Sequence, residues 1–178
     1  TNIWVNVQVP GLEATSFSTV VESTNGTKLF VERAMYFGGT GSLATPWEAG
    51  HGSAAVTGPG KAWFFGEGYT VDTPSLAFDT FLLLANPGAV ASEVTVEFLL
   101  ENDTPIVKTY QLAPTSRQSV WVDLLTDRDG VLGRSAFSMR VVATEPIIAE
   151  RAMYWGPQEA GVTRWQEAHN SPGVTVPA

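Results

Sequence analysis

Residues 78–88 have the sequence FDTFLLLANPG, and this stretch decides the fold class: it is an apolar run of strand length that ends in a turn. In the turn, Pro87 fixes φ and Gly88 tolerates positive φ. Residues 94–100 (VTVEFLL) then alternate apolar and polar side chains, the period of two that is typical of a half-buried strand. The same short pattern recurs in residues 106–112, 120–122 and 137–142. These runs predict an all-β fold.

One hairpin is predicted near the start of the chain. Asn25-Gly26 separates residues 17–21 from residues 29–37, and Asn-Gly between two such runs is a strong hairpin signal. Residues 124–133 can hold a helical turn, whose length two glycines limit. No stretch has the i, i+3, i+4, i+7 pattern of an amphipathic helix.

Composition and charge exclude several classes of function. Of the 178 residues, 44% are hydrophobic and 16% are charged, so the chain can bury a real core and is not disordered. The net charge of −8 argues against binding to a nucleic-acid backbone, which lysine and arginine would have to neutralise. The absence of cysteine excludes disulfides, thiol chemistry and cysteine–zinc sites. No apolar run approaches the roughly 18 residues of a membrane-spanning helix.

An internal repeat dominates the organisation of the chain. Residues 32–38 (ERAMYFG) recur as residues 150–156 (ERAMYWG), with six identities in seven at an offset of 118. The same offset maps Trp47 onto Trp165 and His51 onto His169. Residues 3–6 (IWVN) match residues 120–123 (VWVD) at an offset of 117, which reflects a small difference in loop length.

The repeat predicts one and a half tandem units. Residues 61–178 form one complete unit of 118 residues, and residues 1–60 form the second half of a preceding one. The chain is therefore expected to be cut from a longer array, and the strands of residues 1–57 need partners from residues 61–178 or from another molecule. About eight short strands per unit, with turns every 8–12 residues, predict an immunoglobulin-like antiparallel β-sandwich.

The motifs of the complete unit resemble a known group of repeats. Residues 63–70 (WFFGEGYT), 78–80 (FDT), 84–87 (LANP) and 150–154 (ERAMY), followed by a histidine near the end of the unit, are similar to uncharacterised tandem β-sandwich repeats of bacterial secreted or cell-surface proteins. That family has the pattern W-x-F-A-E-G-x-T and E-R-x-M-Y, and this chain departs from it at Gly66, where alanine is usual. The resemblance covers all of residues 61–178 and, for its second half, residues 1–60. It implies a bacterial extracellular or cell-surface setting, a tandem arrangement, and no assigned catalytic or binding residues; no cofactor is predicted.

Five charged residues are predicted to form structural ion pairs: Glu32, Arg33, Glu67, Glu150 and Arg151. In a strand, the glutamate and arginine of each ERAMY motif point to opposite faces, and both faces are otherwise apolar. An unpaired buried charge costs several kcal/mol, so each needs an opposite charge or a loop carbonyl. Glu67 is the expected partner of either Arg33 or Arg151. A pair that contacts a sugar or another ligand is the alternative.

Each histidine follows a tryptophan by four residues, and Trp47, His51, Trp165 and His169 are the candidate ligand-binding residues. Three roles are open for the histidines: capping a loop, contacting a ligand in a groove, or binding a metal. A metal site would need two or three further ligands nearby, and only scattered carboxylates are available, so no metal is predicted. Other tryptophans lie within strand-like runs and are expected to pack in the core or between units: Trp4, Trp63, Trp121 and Trp155.

The prediction for function is a non-catalytic structural or interaction module of a bacterial extracellular or cell-surface protein. No catalytic motif is present, although two of Glu32, Glu67 and Glu150 could in principle serve as a glycosidase pair. Strand complementation between copies or neighbouring units would build an array or filament, for example for surface adhesion. The alternative is a carbohydrate-binding module, which requires a solvent-exposed line of Trp or Tyr rings. Nucleic acid and membrane insertion are not expected.

Overall fold

The computed structural model describes residues 1–38, 47–158 and 164–175, and β-strands account for most of their regular structure. One helical turn, α1 (Val5–Gln8), precedes the first strand. The strands are β1 (Glu32–Phe37), β2 (Ala49–Ala54), β3 (Gly60–Tyr69), β4 (Val71–Thr73), β5 (Leu76–Asn86), β6 (Ser92–Leu100), β7 (Ile106–Leu112), β8 (Ser116–Trp121), β9 (Ala136–Gly156), β10 (Glu167–Pro172) and β11 (Val174–Thr175). Short 3-10 turns at Val122–Leu124 and Arg128–Gly133 match the helical turn predicted in this region. No helix among the described residues has the length and apolar character that crossing a membrane requires.

Strands β3 to β11 form two antiparallel sheets that share the long strand β9. Residues 136–147 of β9 pair with β3 on one side and β6 on the other, which gives the order β11-β3-β9-β6-β7. Residues 148–156 of β9 pair with β5 and β10, and the far edge of β5 pairs with β8 and β4. The predicted all-β antiparallel sandwich is thus confirmed.

The alternation read in the sequence builds the core between these sheets. In β6, Val94, Val96 and Phe98 are fully buried, and in β5, Leu82 and Leu84 face them from the other sheet. Burying a side chain of this size contributes about 1.5–3 kcal/mol. The buried side chains of this core lie within residues 61–178, and Val56 of the first repeat packs against them.

Trp63 is the largest side chain of this core, with 1% of its surface exposed. Its indole Nε1 donates to the carbonyls of Gly60 and Ile147, each at 3.1 Å, so the polar end of the ring is satisfied within the core. The expectation of core packing holds for this tryptophan.

The hairpin predicted around Asn25-Gly26 is wrong. A turn forms there, but residues 9–31 contain no strand, and the first strand begins at Glu32. The physical reason lies in the repeat: the equivalent stretch of the second repeat is held in the sheet by β3 and β6. Residues 1–60 contain no counterpart of those two strands, so the apolar side chains of this segment, such as Phe30, remain exposed.

Strands β1 and β2 form a separate two-stranded sheet whose pairing copies that of the second repeat. Arg33 pairs with Ser53 and Met35 with His51. At an offset of 118, the β9–β10 pairs are Arg151 with Ser171 and Met153 with His169. The same sequence motif thus gives the same antiparallel register in both places.

The β1–β2 hairpin lies face to face on the second repeat rather than edge to edge. The ring of Phe37 contacts that of Tyr154 at 5.5 Å, and Arg33 pairs with Glu150, so the hairpin covers the outer face of β9 and β10. Within the described residues, β1 and β2 pair only with each other. In the described part of the chain, no strand of residues 1–57 therefore pairs with a strand of residues 61–178, and the two repeats meet through side chains.

Candidate functional site

A polar cluster joins the β1–β2 hairpin to the second repeat. Arg33 Nη2 lies 3.3 Å from Glu150 Oε2, and the two side chains are 38% and 18% exposed. The side-chain amide of Asn170, oriented to satisfy its neighbours, donates to His51 Nδ1 at 2.6 Å and accepts from Arg33 Nη2 at 2.7 Å and from Ser53 Oγ at 3.1 Å. A buried amide of the second repeat is thus satisfied by groups of the first.

His51 is a structural contact in this cluster. Burial lowers the pKa of His51, and the positive charge of Arg33 lowers it further, so the imidazole is neutral at pH 7. Nδ1 accepts from Asn170, which assigns the proton to Nε2, 3.4 Å from the Tyr154 hydroxyl. Both nitrogens face protein groups, an arrangement that fits the capping role among the three left open by the sequence.

The equivalent arginine of the second repeat, Arg151, is buried within its own unit, with 6% of its surface exposed. Its guanidinium donates to the backbone carbonyl of Glu67 and to His169 Nδ1 at 3.2 Å, while the Glu67 carboxylate lies 3.8 Å away. Of the two partners considered for Glu67, the structure gives Arg151, and Arg33 binds Glu150. Glu32 is exposed and makes no ion pair with the described residues.

Four rings form a cluster on the outer face of β5, opposite the core: Phe81, Trp121, Tyr154 and Trp165. Phe81 is its centre, because its ring lies 5.1 Å from Trp121, 5.6 Å from Tyr154 and 5.8 Å from Trp165. The last two contacts are edge-to-face, at 87° and 86°, the favourable arrangement for aromatic pairs. We refer to these four residues as the ring cluster.

Two carboxyl groups, those of Asp79 and Asp123, lie next to the ring cluster. Asp79 is fully buried and accepts from Arg164 Nε and Nη2, both at 2.9 Å, and from Trp165 Nε1 at 2.5 Å. Asp123 Oδ2 accepts from the backbone N–H of Thr80 at 3.0 Å. The Trp165–Asp79 bond therefore fixes a ring of the cluster to the edge of β5.

The two carboxyl groups have opposite protonation. Burial raises the pKa of Asp123 to about 7, and the negative charge of Asp79 contributes to the rise. Burial also acts against ionisation of Asp79, but hydrogen bonds from Arg164 and Trp165 outweigh it and hold the pKa of Asp79 below its ordinary value. Below about pH 7, Asp123 is therefore the carboxyl group that carries a proton, and its second oxygen, which has no hydrogen-bond partner among the described residues, is the place for that proton.

Three of the four ring positions recur in the first repeat, as Trp4, Tyr36 and Trp47. Their counterparts in the second repeat are Trp121, Tyr154 and Trp165. The two tryptophan rings are 6.1 Å apart at 63° in the first repeat and 5.9 Å apart at 63° in the second. The tyrosine–tryptophan pair is 5.2 Å apart in both repeats, at 35° and 38°. We refer to Trp4, Tyr36 and Trp47 as the open ring trio.

The open ring trio is exposed, whereas the ring cluster is partly covered. Trp4, Tyr36 and Trp47 are 55%, 62% and 50% exposed. An open groove of about 580 Å³ lies beside the hairpin, lined by Tyr36, Trp47 and His51 among others. Residues 1–60 contain no counterpart of Phe81, the central ring, or of Asp79, which binds the tryptophan indole.

The structure separates the residues that the sequence grouped together. Trp47 and His51 both line the groove, whereas Trp165 belongs to the ring cluster and His169 binds Arg151. The expectation that Trp4 packs in a core or between units is wrong within this chain, because Trp4 contacts Trp47 with 55% of its own surface exposed.

Sequence reasoning missed Asp79, Asp123 and Arg164 as interacting residues. Asp79 belongs to the FDT motif, and Asp123 follows a tryptophan that recurs in the repeat, so two of them had a signal. Their contact depends on β5 and β8 becoming neighbours, which no spacing in the sequence states.

The described residues contain no group of three or more His, Asp or Glu side chains that could hold a metal ion. The carboxylates considered as a glycosidase pair serve elsewhere: Glu150 binds Arg33, Glu67 binds Arg151, and Glu32 is exposed. Glu150 and Glu67 thus lie in structural ion pairs, whereas the predicted ion pair of Glu32 does not form with the described residues.

Comparison with known proteins identifies relatives by fold only. No family model matches the chain, and no curated protein matches it. Among solved structures, the chain is similar to protein 1070 of Thermotoga maritima, with a TM-score of 0.54 and 19% identity over 67% of this chain and 96% of that one. It also matches the Anabaena sensory rhodopsin transducer, with a TM-score of 0.45 and 15% identity over 55% of this chain and 86% of that one. The similarity to the Thermotoga protein supports the β-rich fold alone.

Proposed function

We propose that the protein is a non-catalytic structural or interaction module of a bacterial extracellular or cell-surface protein, and that it assembles with neighbouring repeat units or copies of itself through β-strand complementation. The single observation behind this proposal is the first repeat. Its β1–β2 hairpin has the register of the complete unit, but in the described residues β1 has no partner on its second edge. In the second repeat, the corresponding part of β9 has β5 on that edge.

Charge and packing support the same proposal. A net charge of −8 favours solubility and discourages contact with polyanions. The carboxyl groups with the most perturbed surroundings, Asp79 and Asp123, hold Arg164, Trp165 and the backbone of Thr80. Groups committed to such bonds serve the fold, which is what a structural module requires. The extracellular setting rests on the resemblance of the repeat motifs.

Size-exclusion chromatography with light scattering, over a concentration series and with negative-stain images of each fraction, tests the proposal. We expect species larger than the 19.1 kDa chain, with a mass that grows with concentration. Tyr36→Lys should reduce this assembly, because a lysine on an edge strand discourages further pairing. Val90→Lys is the matched control, since both side chains are 62% exposed. A monomer at every concentration would contradict self-assembly.

One observation favours a second candidate function, a carbohydrate-binding module. The open ring trio exposes two tryptophans and a tyrosine beside the groove, and exposed rings stack on sugar faces. A glycan array probed with the wild-type protein and with Trp47→Ala tests this candidate. Binding that the substitution abolishes would favour the sugar-binding function over assembly.

A further inference from the structure

The first repeat holds the two flanks of a missing strand. In the second repeat, the spatial order of strands is β10-β9-β5-β8. The first repeat supplies the equivalent of β10 in β2, the equivalent of the end of β9 in β1, and the equivalent of the end of β8 in residues 3–4. It supplies no equivalent of β5, the strand between the two flanks.

The second flank already has the conformation it has in the complete unit. Trp4 has φ −87° and ψ 89° and is followed by the helical turn α1. Trp121, its counterpart at the end of β8, has φ −83° and ψ 105° and is followed by the 3-10 turn Val122–Leu124. The distances and angles of the open ring trio also match those of the ring cluster. Both sides of the gap are therefore preformed.

We propose that β1 and residues 3–4 together accept a strand of β5 type, with the sequence pattern F-D-x-F-L-L-L, from another repeat unit. This inference rests on the proposed function and names its acceptor site. The register follows from the second repeat, where Phe81 pairs with Ala152 on one side and Trp121 on the other. The donated phenylalanine therefore lies opposite Ala34 and Trp4.

The residues that border the gap favour a strand of β5 sequence over a strand of any other sequence. A phenylalanine in that register places its ring at the centre of the open ring trio, the position that Phe81 has among its three neighbours. An aspartate two residues earlier lies opposite Tyr36, within reach of the Trp47 indole, as Asp79 accepts from Trp165. The Trp47 indole N–H donates no hydrogen bond to the described residues, so a donated aspartate would give this N–H an acceptor. Main-chain hydrogen bonds to β1 add affinity that does not depend on sequence.

A peptide experiment tests the site directly. The probe is a synthetic peptide of residues 76–86 with two lysines added at each end for solubility, titrated into the full 178-residue chain and followed by calorimetry and tryptophan fluorescence. We expect saturable binding with a change in indole emission. The peptide variant Phe81→Ala should bind at least about tenfold more weakly, and a peptide of shuffled sequence should keep only the weak affinity of main-chain hydrogen bonds. The protein variant Trp47→Ala should weaken binding similarly, whereas Val90→Ala should have no effect.

The register is tested by disulfide trapping, for which the absence of cysteine is an advantage. Leu83 pairs with Glu150 in the second repeat, so Glu32→Cys in the protein should cross-link to a peptide with cysteine at position 83. Cross-strand neighbours are about 4.5–5.5 Å apart between Cα atoms, which suits a disulfide. Peptides with cysteine at 82 or 84 should cross-link at least about tenfold more slowly, because their side chains point to the other face.

The outcomes separate this inference from the proposed function. Peptide binding with the predicted register, in a chain that stays monomeric, would support the acceptor site and refute self-assembly. Concentration-dependent assembly that the peptide neither inhibits nor cross-links into would support the proposed function and overturn the acceptor site. Peptide binding without preference among positions 82, 83 and 84 would also overturn it.

Discussion

Replacing Asp123 with asparagine is expected to stabilise the protein above neutral pH and to remove most of the pH dependence contributed by this residue. In the folded chain the pKa of Asp123 is raised to about 7, by burial and by the neighbouring charge of Asp79. An asparagine keeps the contact with Thr80, because its oxygen can accept from the Thr80 N–H, and its NH₂ supplies a donor where the protonated Asp123 carries its proton. The first repeat has this residue already, because Asn6 stands at the position of Asp123.

The direction and size of the effect follow from proton linkage. Between about pH 4 and pH 7 the folded chain holds a proton on Asp123 that the unfolded chain has lost, so stability falls as pH rises through this window. A pKa of about 7 against an ordinary value of 3.8 corresponds to about 4 kcal/mol at most. Asp123 is only partly buried, and solvent screening reduces this figure to about 2 kcal/mol. Asp79, whose pKa is lowered, contributes in the opposite sense and only below about pH 4.

Urea unfolding at intervals from pH 4.5 to pH 8.5 measures this difference. We expect Asp123→Asn and wild type to have similar free energies of unfolding near pH 4.5 and to diverge to about 2 kcal/mol, in favour of the variant, at pH 8. Glu101→Gln, which removes one exposed charge in a turn, is the control for net charge. Parallel pH profiles for Asp123→Asn and wild type would refute the assignment of the proton to Asp123.

Two further predictions use matched pairs. Gly68→Ala should lower the free energy of unfolding by about 1–3 kcal/mol, because an added Cβ would lie 2.3 Å from the Phe137 ring. Gly66→Ala should be nearly neutral, because its added Cβ would meet nothing within 4 Å. Equal effects of the two substitutions would contradict the packing of β3. Arg151→Ala should lower the free energy of unfolding by about 3 kcal/mol, because the Arg151 side chain is only 7% exposed. Arg33→Ala should lower it by under about 1 kcal/mol, because the Arg33 side chain is 38% exposed. Chemical denaturation of both variants measures the difference.

The sequence predicted the fold wherever a strand's partners lie in the same chain. The alternation in residues 94–100 identified β6, and the apolar run and turn at residues 78–88 identified β5, because one face or both faces of these strands are buried by the second repeat. The Asn-Gly signal failed for the opposite reason. A turn can form from local preferences, but two strands persist only if a sheet or core covers them, and no described strand pairs with residues 9–30.

The sequence identified residues of the candidate site, but it did not predict which of them contact one another. The repeat indicated that Trp47 and His51 occupy the positions of Trp165 and His169, but the two histidines have different partners, Asn170 and Arg151. That difference arises because the hairpin of the first repeat lies on the outer face of the second, whereas β10 pairs with β9 in its own sheet. Relative placement of two repeats depends on which faces remain uncovered, and sequence periodicity carries no information on that.

Because this chain contains one repeat with β5 and one without it, comparing the two repeats shows which features of the ring arrangement depend on β5. The ring geometry of Trp4, Tyr36 and Trp47 and the backbone of Trp4 match the complete unit without any β5 equivalent, so local sequence and the β1–β2 hairpin are sufficient to set them. Burial is what the missing strand would add, since all three rings are at least half exposed. A site whose geometry exists before its partner arrives loses little conformational entropy on binding. Under the proposed complementation, the donor strand would be the only part that has to become ordered, which favours the gap in the first repeat as its acceptor.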